Sequence, residues 1–166
     1  MKIRKGGPED IPAVLAILDS AVEWLNAKGI TAQWGTEPFT ARPAAVRQVE
    51  ETVAEGDLWM AEIDDVPAGT MLLAPHPGKH VPPAPEPEVY VRLLATDARF
   101  HHHDVGATLL AHATAETRRK NVPLLRVDCF AGSGGRLIAY YEKQGFTRTD
   151  TFAVGDWQGQ ILERRV

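Results

Sequence analysis

Residues 88–120, EVYVRLLATDARFHHHDVGATLLAHATAETRRK, change periodicity halfway along, and that change constrains what the chain can fold into. The run VYVRLLAT favours β structure and carries one charge, Arg92, which predicts a strand over Tyr90–Thr96 buried on most of its surface. From Val105 the spacing turns helical. Val105, Leu109, Ala113 and Glu116 fall on one stripe, and Arg118, Arg119 and Lys120 place cations at the negative end of the helix dipole. A strand that feeds through a short loop into a helix N-terminus aims several unpaired backbone N–H groups at one spot. That spot is a natural seat for phosphate.

The elements before this stretch follow from similar patterns. Lys2–Arg4 suits a brief strand, and Gly7-Pro8-Glu9-Asp10 opens a helix whose apolar stripe is Ile11, Val14, Leu15, Leu18, Val22 and Leu25. Lys28-Gly29 stops that helix, and an irregular piece containing Trp34 leads to a second helix over Ala44–Glu55. Leu58–Ile63 and Ala68–Ala74 flank Asp64-Asp65-Val66-Pro67 and read as an antiparallel hairpin. Residues 75–87 then hold half of the 12 prolines of the chain, a density that neither a core strand nor a helix tolerates. This segment reads as a stiff surface spacer, placed where it could also form a wall or lid.

Beyond the central helix, Leu124–Cys129 reads as a buried strand. Gly132-Ser133-Gly134-Gly135 breaks it, Arg136–Gln144 forms a short helix stopped by Gly145, and Phe146–Val154 and Gln160–Arg164 supply two last strands. The order β-α-α-β-β-β-α-β-α-β-β defines an α/β (α+β) fold. At 166 residues, with no repeat and no linker, one domain over residues 1–166 is expected.

Charge and composition exclude several function classes. Eighteen basic against 22 acidic side chains leave a net charge of −4, which argues against a nucleic-acid groove. No apolar run approaches a membrane span, and MKIRKGGPEDI lacks the hydrophobic core of a signal peptide. The single cysteine, Cys129, fits a reducing compartment. A cytoplasmic protein without membrane or nucleic-acid partners is the expectation.

Residues 88–120 resemble the central motif of the GNAT N-acetyltransferase family, whose loop reads Gln/Arg-x-x-Gly-x-Gly/Ala ahead of the helix. Laid on this chain without gaps, the pattern falls on His101, Asp104 and Gly106, with the loop length kept and only the last glycine present. YYEKQGF resembles the family's second signature, a tyrosine, three residues, then Gly-Phe. Two signatures in this order and at this separation point to one fold, a mixed sheet splayed at its central strand. The resemblance is good over residues 88–152 and only topological before Leu58.

The resemblance implies acetyl-CoA as co-substrate, a small-molecule amine as acceptor and direct attack; it also admits a homodimer. Its pyrophosphate would sit on His101, His102, His103, Asp104, Val105, Gly106 and Ala107. The amide of Leu94 would polarise the thioester carbonyl, with Thr96 contacting the pantetheine arm. Tyr141 would protonate the departing thiolate; a phenol near pKa 10 can donate and regain a proton from water. Gly134, Leu137, Ile138 and Tyr141 share a helical face, so packing is the competing role of that tyrosine. Glu88, at the start of the central strand, is the candidate base or holder of a base water, with Glu23, Glu37, His76 and His80 as others. Trp34, Glu23 and Glu37 would border the acceptor.

The loop departs from the family at HHHD. Asp visits positive φ more easily than most residues, so the turn can survive; yet Asp104 directly precedes the helix, where an N-cap carboxylate would take the N–H groups that a pyrophosphate needs. Three readings follow: the histidines supply donors and acetyl-CoA binds; the fold is kept but another ligand is bound without acetylation; or HHHD holds a metal. Consecutive loop residues rarely converge on one ion, so no metal site is expected.

Overall fold

The computed structural model describes residues Met1–Val166. The chain forms two compact units, residues 1–73 with 93–109, and residues 74–92 with 110–166. The strands follow the order β1-β2-β3-β4-β5-β7-β6 in one mixed sheet of seven, where β1 is Lys2–Lys5, β2 Asp57–Ile63, β3 Val66–Ala74, β4 Val89–Thr96, β5 Leu124–Phe130, β6 Thr147–Val154 and β7 Trp157–Arg165. The helices are α1 (Ile11–Ala27), α2 (Pro43–Ala54), α3 (Val105–Arg119) and α4 (Arg136–Lys143). None is long and apolar enough to cross a membrane.

In the first unit, α1 buries Val14, Ile17, Leu18, Val22 and Leu25 on a helical stripe, of which Val14, Ile17 and Leu18 cluster with Val49 and Val53 of α2 and Leu58, Met60, Leu72 and Ala95 of the strands. The helix ends where its sequence says it should. Gly29 takes φ +76°, its N–H donates to Asn26 O, and Ile30 N–H donates to Leu25 O, the paired bonds of a left-handed C-terminal cap. β2 and β3 join through Asp64 and Asp65, both at positive φ, the turn whose twist matches a hairpin.

Gly69 of β3 lies where α3 begins. A Cβ there would stand 2.5 Å from Val105 Cγ1 and 3.1 Å from Ala95 O, so only glycine lets strand and helix approach this closely.

In the second unit, β5 lies parallel to β4, with Val89 opposite Leu125, Tyr90 opposite Arg126 and Val91 opposite Val127. On its other edge β5 runs antiparallel to β7 from Leu124 to Phe130. The ladder to β4 thus ends at Val127 while β5 continues beside β7. β7 starts at Trp157, earlier than the expected Gln160, because the connection narrows to Gly155-Asp156 with Gly155 at φ +60°.

The proline-rich segment has no regular structure and is tied down. Val81 packs with Tyr90, Ile161 and Phe152; Arg126 Nη2 donates to Pro82 O; Ala84 N–H donates to Glu88; and Arg165 pairs with Glu86. These four anchors make it a wall rather than a loose flap.

Candidate active site

In the first unit, the loop ahead of α3 is built on Asp97. Its side chain accepts from Arg99 N–H at 2.9 Å and pairs with the Arg99 guanidinium at 3.1 Å, while Ser20 of α1 receives Ala98 N–H at 2.9 Å. Burial works to raise the Asp97 carboxyl, but Arg99 and Ser20 outweigh it and hold it below the ordinary carboxylate range. The chain then turns through the exposed residues His101, His102 and His103. The His101 ring lies 4.6 Å from Trp24 of α1, and Lys28 Nζ sits 4.8 Å from the same indole, so α1 braces the first of the histidines.

Asp104 does not cap α3. It stands at φ +53°, in the left-handed region, rather than in the extended conformation of an N-cap. Its backbone carbonyl accepts from Thr108 N–H and Oγ1, and its side chain is exposed. Val105, Gly106 and Ala107 form the first turn of α3, where N–H groups have no carbonyl partner within the helix and stand at its positive end. Of the two conformations the sequence offers Asp104, the left-handed turn is the one adopted, because Asp tolerates positive φ and can occupy the place of a loop glycine.

Leu94 and Thr96 are half-buried on β4. Asp97 N–H donates to Ala68 O on β3, so by strand alternation the Leu94 and Thr96 amides point to the other edge of β4. Trp34 lies edge-on to Phe39 at 6.0 Å, Arg42 covers Phe39, and the pair packs on the core beneath α1 and α2. Glu23 and Glu37 are exposed in the same unit. Asp19 accepts from Thr40 Oγ1 at 2.6 Å and ties the connecting segment to α1.

In the second unit, Tyr141 of α4 is 6% exposed, with its ring edge-on to Tyr140 and Phe146. Burial, with Cys129 nearby, pushes its ionisation well above that of a free phenol, so it stays a proton donor at neutral pH. Burial also pushes the Cys129 thiol up to about 12, which keeps it protonated.

Glu88 is buried and saturated. Arg126 Nε and Nη2 donate to its two oxygens at 2.7 and 3.0 Å, and Ala84 N–H adds a third bond at 2.7 Å. The Arg126 guanidinium also lies 5.2 Å from the Tyr90 ring. Tyr90 in turn donates to Asp128 Oδ2 at 2.6 Å. Sequence reasoning missed Asp97, Ser20, Trp24, Tyr90 and Asp128. Tyr90 and Asp128 carry a retrospective signal, since both project from the same face of two predicted neighbouring strands. No group of three or more His, Cys, Asp or Glu side chains converges as a metal site.

A seven-stranded mixed sheet with four helices is the architecture of the acyl-CoA-dependent acyltransferases. The Acetyltransferase (GNAT) family model matches residues 18–146, and the chain belongs to that family. Among curated proteins none matches it. Solved structures share the fold at low identity. The PaiA N-acetyltransferase of Thermoplasma acidophilum in complex with coenzyme A is 19% identical with a TM-score of 0.74, over 99% of this chain and 98% of that one. A GNAT acetyltransferase of Listeria monocytogenes is 19% identical with a TM-score of 0.74, over 99% and 94%. The ribosomal-protein-alanine N-acetyltransferase of Brucella melitensis is 20% identical with a TM-score of 0.67, over the whole of both chains.

Proposed function

We propose that this protein transfers the acetyl group of acetyl-CoA to the amine of a small molecule by direct attack. The observation that carries the reading is the family match over residues 18–146, within which Tyr141 stands on α4 with its phenol held protonated by burial. Tyr141 is the proton donor to the coenzyme thiolate.

The first-turn amides of Val105, Gly106 and Ala107 receive the diphosphate, as a helix N-terminus does for anions. His101, His102 and His103 add side-chain donors around it, and Asp104 supplies the turn. The Leu94 amide polarises the thioester carbonyl, and Thr96 contacts the pantetheine arm. Trp34, Glu23 and Glu37 border the acceptor. Glu88, held by Arg126 and the Ala84 amide, serves the architecture of the site and not proton transfer. Calorimetry with acetyl-CoA, followed by thiol release in the presence of primary amines, tests the reading. Absence of heat at millimolar coenzyme would remove it.

A further inference from the structure

We propose that Arg42 reads a carboxylate on the acceptor, so that the acceptor is an amino acid with an apolar side chain. The inference deepens the acetyltransferase reading above and rests on it. The Nε and Nη2 atoms of Arg42 are buried and have no hydrogen-bond partner. Together they form one edge of the guanidinium, the edge whose parallel N–H groups fit the two oxygens of a carboxylate. Cationic donors closed off from water and left unmet are costly, and folded proteins keep few of them.

The backbone of Arg42 is held firmly while this edge is not. Its N–H donates to Phe39 O at 3.0 Å, and its carbonyl accepts from the amides of Ala45 and Val46 at 3.0 and 3.1 Å. Thr40, two residues earlier, donates through Oγ1 to Asp19 of α1 at 2.6 Å. Arg42 also stands at the N-terminal end of α2, where the helix dipole is positive and disfavours a cation. A bound carboxylate offsets both costs, the missing acceptor and the misplaced charge. The residue is half-buried, so a turn about the last bonds of its side chain carries the edge to the surface. That turn breaks no hydrogen bond of Nε or Nη2.

The neighbouring rings describe the rest of the ligand. The guanidinium carbon lies 4.8 Å from the centre of the Phe39 ring, and Trp34 stands edge-on to Phe39 at 6.0 Å. Stacking on an aromatic ring orients the planar fork for a planar acceptor. Both rings are only partly buried, so apolar surface lies beside the cation for the ligand's side chain. Phe39 and Arg42 thus extend the acceptor border already given to Trp34, Glu23 and Glu37, and Leu94 and Thr96 belong to the same compact unit. The coenzyme's phosphates are the other anions that reading brings. Its diphosphate is assigned to the first turn of α3, so the carboxylate falls to the acceptor.

The first test needs no turnover. The Nε–H resonance of Arg42, assigned by its loss in Arg42→Lys, is followed by NMR of the full chain with and without coenzyme A. The probes are leucine and phenylalanine, each beside the amine that lacks its carboxylate, isopentylamine and phenethylamine. A downfield proton shift with the amino acids alone is expected. Kinetics with acetyl-CoA then compares each variant with wild type on the same probe, so the differing basicity of the probes cancels. Arg42→Gln should lower kcat/KM about 10–100-fold for the amino acids, the worth of a charge-assisted pair, and barely change it for the two plain amines. Arg42→Lys keeps the charge and loses the fork, so it should fall between. Arg42→Met keeps an apolar stem over Phe39, and its ligand-free unfolding midpoint should rise because a desolvated charge is gone. A lowered midpoint would make Arg42 a structural residue. No shift with either amino acid in either condition, or an equal loss on both kinds of probe, would overturn the assignment while heat with acetyl-CoA keeps the acetyltransferase reading intact. Weaker acetyl-CoA binding by Arg42→Gln would overturn it too, by giving the guanidinium to a coenzyme phosphate. No heat with acetyl-CoA in wild type would remove the donor, and with it the acceptor role of Arg42.

Discussion

Arg126 grips Glu88 through both edges of its guanidinium, at 2.7 and 3.0 Å, with side-chain exposures of 11% and 3%. The pair also fastens the proline-rich segment through Pro82 O and Ala84 N–H. Removing one partner would strand a desolvated charge, so Glu88→Ala should cost roughly 3 kcal/mol or more. Urea unfolding measures this. A loss below about 1 kcal/mol, the scale of a surface pair, would show that the clasp contributes little.

Tyr141→Phe removes one hydroxyl and keeps the ring contacts with Tyr140 and Phe146. The expected outcome is a fall in kcat of about 10²-fold, the usual worth of one positioned proton donor. Coenzyme affinity should hardly move, because only the transition state carries charge on sulfur. Steady-state kinetics beside calorimetry separates the two, and an undiminished kcat would return Tyr141 to a packing role.

Much of this part of the fold was legible in the sequence for a reason that the structure supplies. Tyrosine, three residues, then Gly-Phe is the spacing of a helix C-terminus: Gly145 takes φ +95°, Phe146 N–H donates to Tyr141 O, and the two rings meet at 5.9 Å. Order of elements was equally legible, since each change of period is local. Asp97 with Ser20, 77 residues apart, and Tyr90 with Asp128, 38 apart, leave no local trace. Asp104 left two conformations open: one residue type serves both an N-cap and a left-handed turn, and composition alone does not choose between them.

Asp104→Gly should help the protein twice. Glycine adopts φ +53° without the steric cost of a Cβ, which is worth roughly 1 kcal/mol. The change also removes a negative charge beside the first-turn amides, where repulsion of a diphosphate is on the order of 1 kcal/mol at an exposed site. Thermal unfolding should shift upward and coenzyme should bind several-fold more tightly. Asp104→Asn, which removes only the charge, should reproduce the second gain and little of the first. Weaker binding in both variants would mean that the carboxylate assists the ligand.

Asp97 should make the loop acid-sensitive. Its ionisation is held below that of an unfolded aspartate, about 3.9, so its contribution to stability is complete above that pH. It is lost as pH falls through the lower, folded value. Asp97→Asn should therefore be less stable than wild type near neutrality, by about 1 kcal/mol for the weakened cap, and the gap should close at low pH. Denaturation midpoints compared at neutral and strongly acidic pH give the answer; a gap that stays constant would mean that the charge of Asp97 is not what holds the turn.

Gly69→Ala tests whether the start of α3 is seated by contact with β3. The added methyl would meet Val105 Cγ1 at 2.5 Å, Ala95 O at 3.1 Å and Leu109 Cδ1 at 3.2 Å. Val105 can shift only by moving the first turn of the helix, because it is buried and the Ala95 carbonyl is backbone. Overpacking of this kind costs about 1–3 kcal/mol. Since the Val105 amide belongs to the displaced turn, coenzyme affinity should fall along with stability. Calorimetry at a temperature where the variant remains folded separates the two effects: full affinity there would show that the amides keep their places without this close approach.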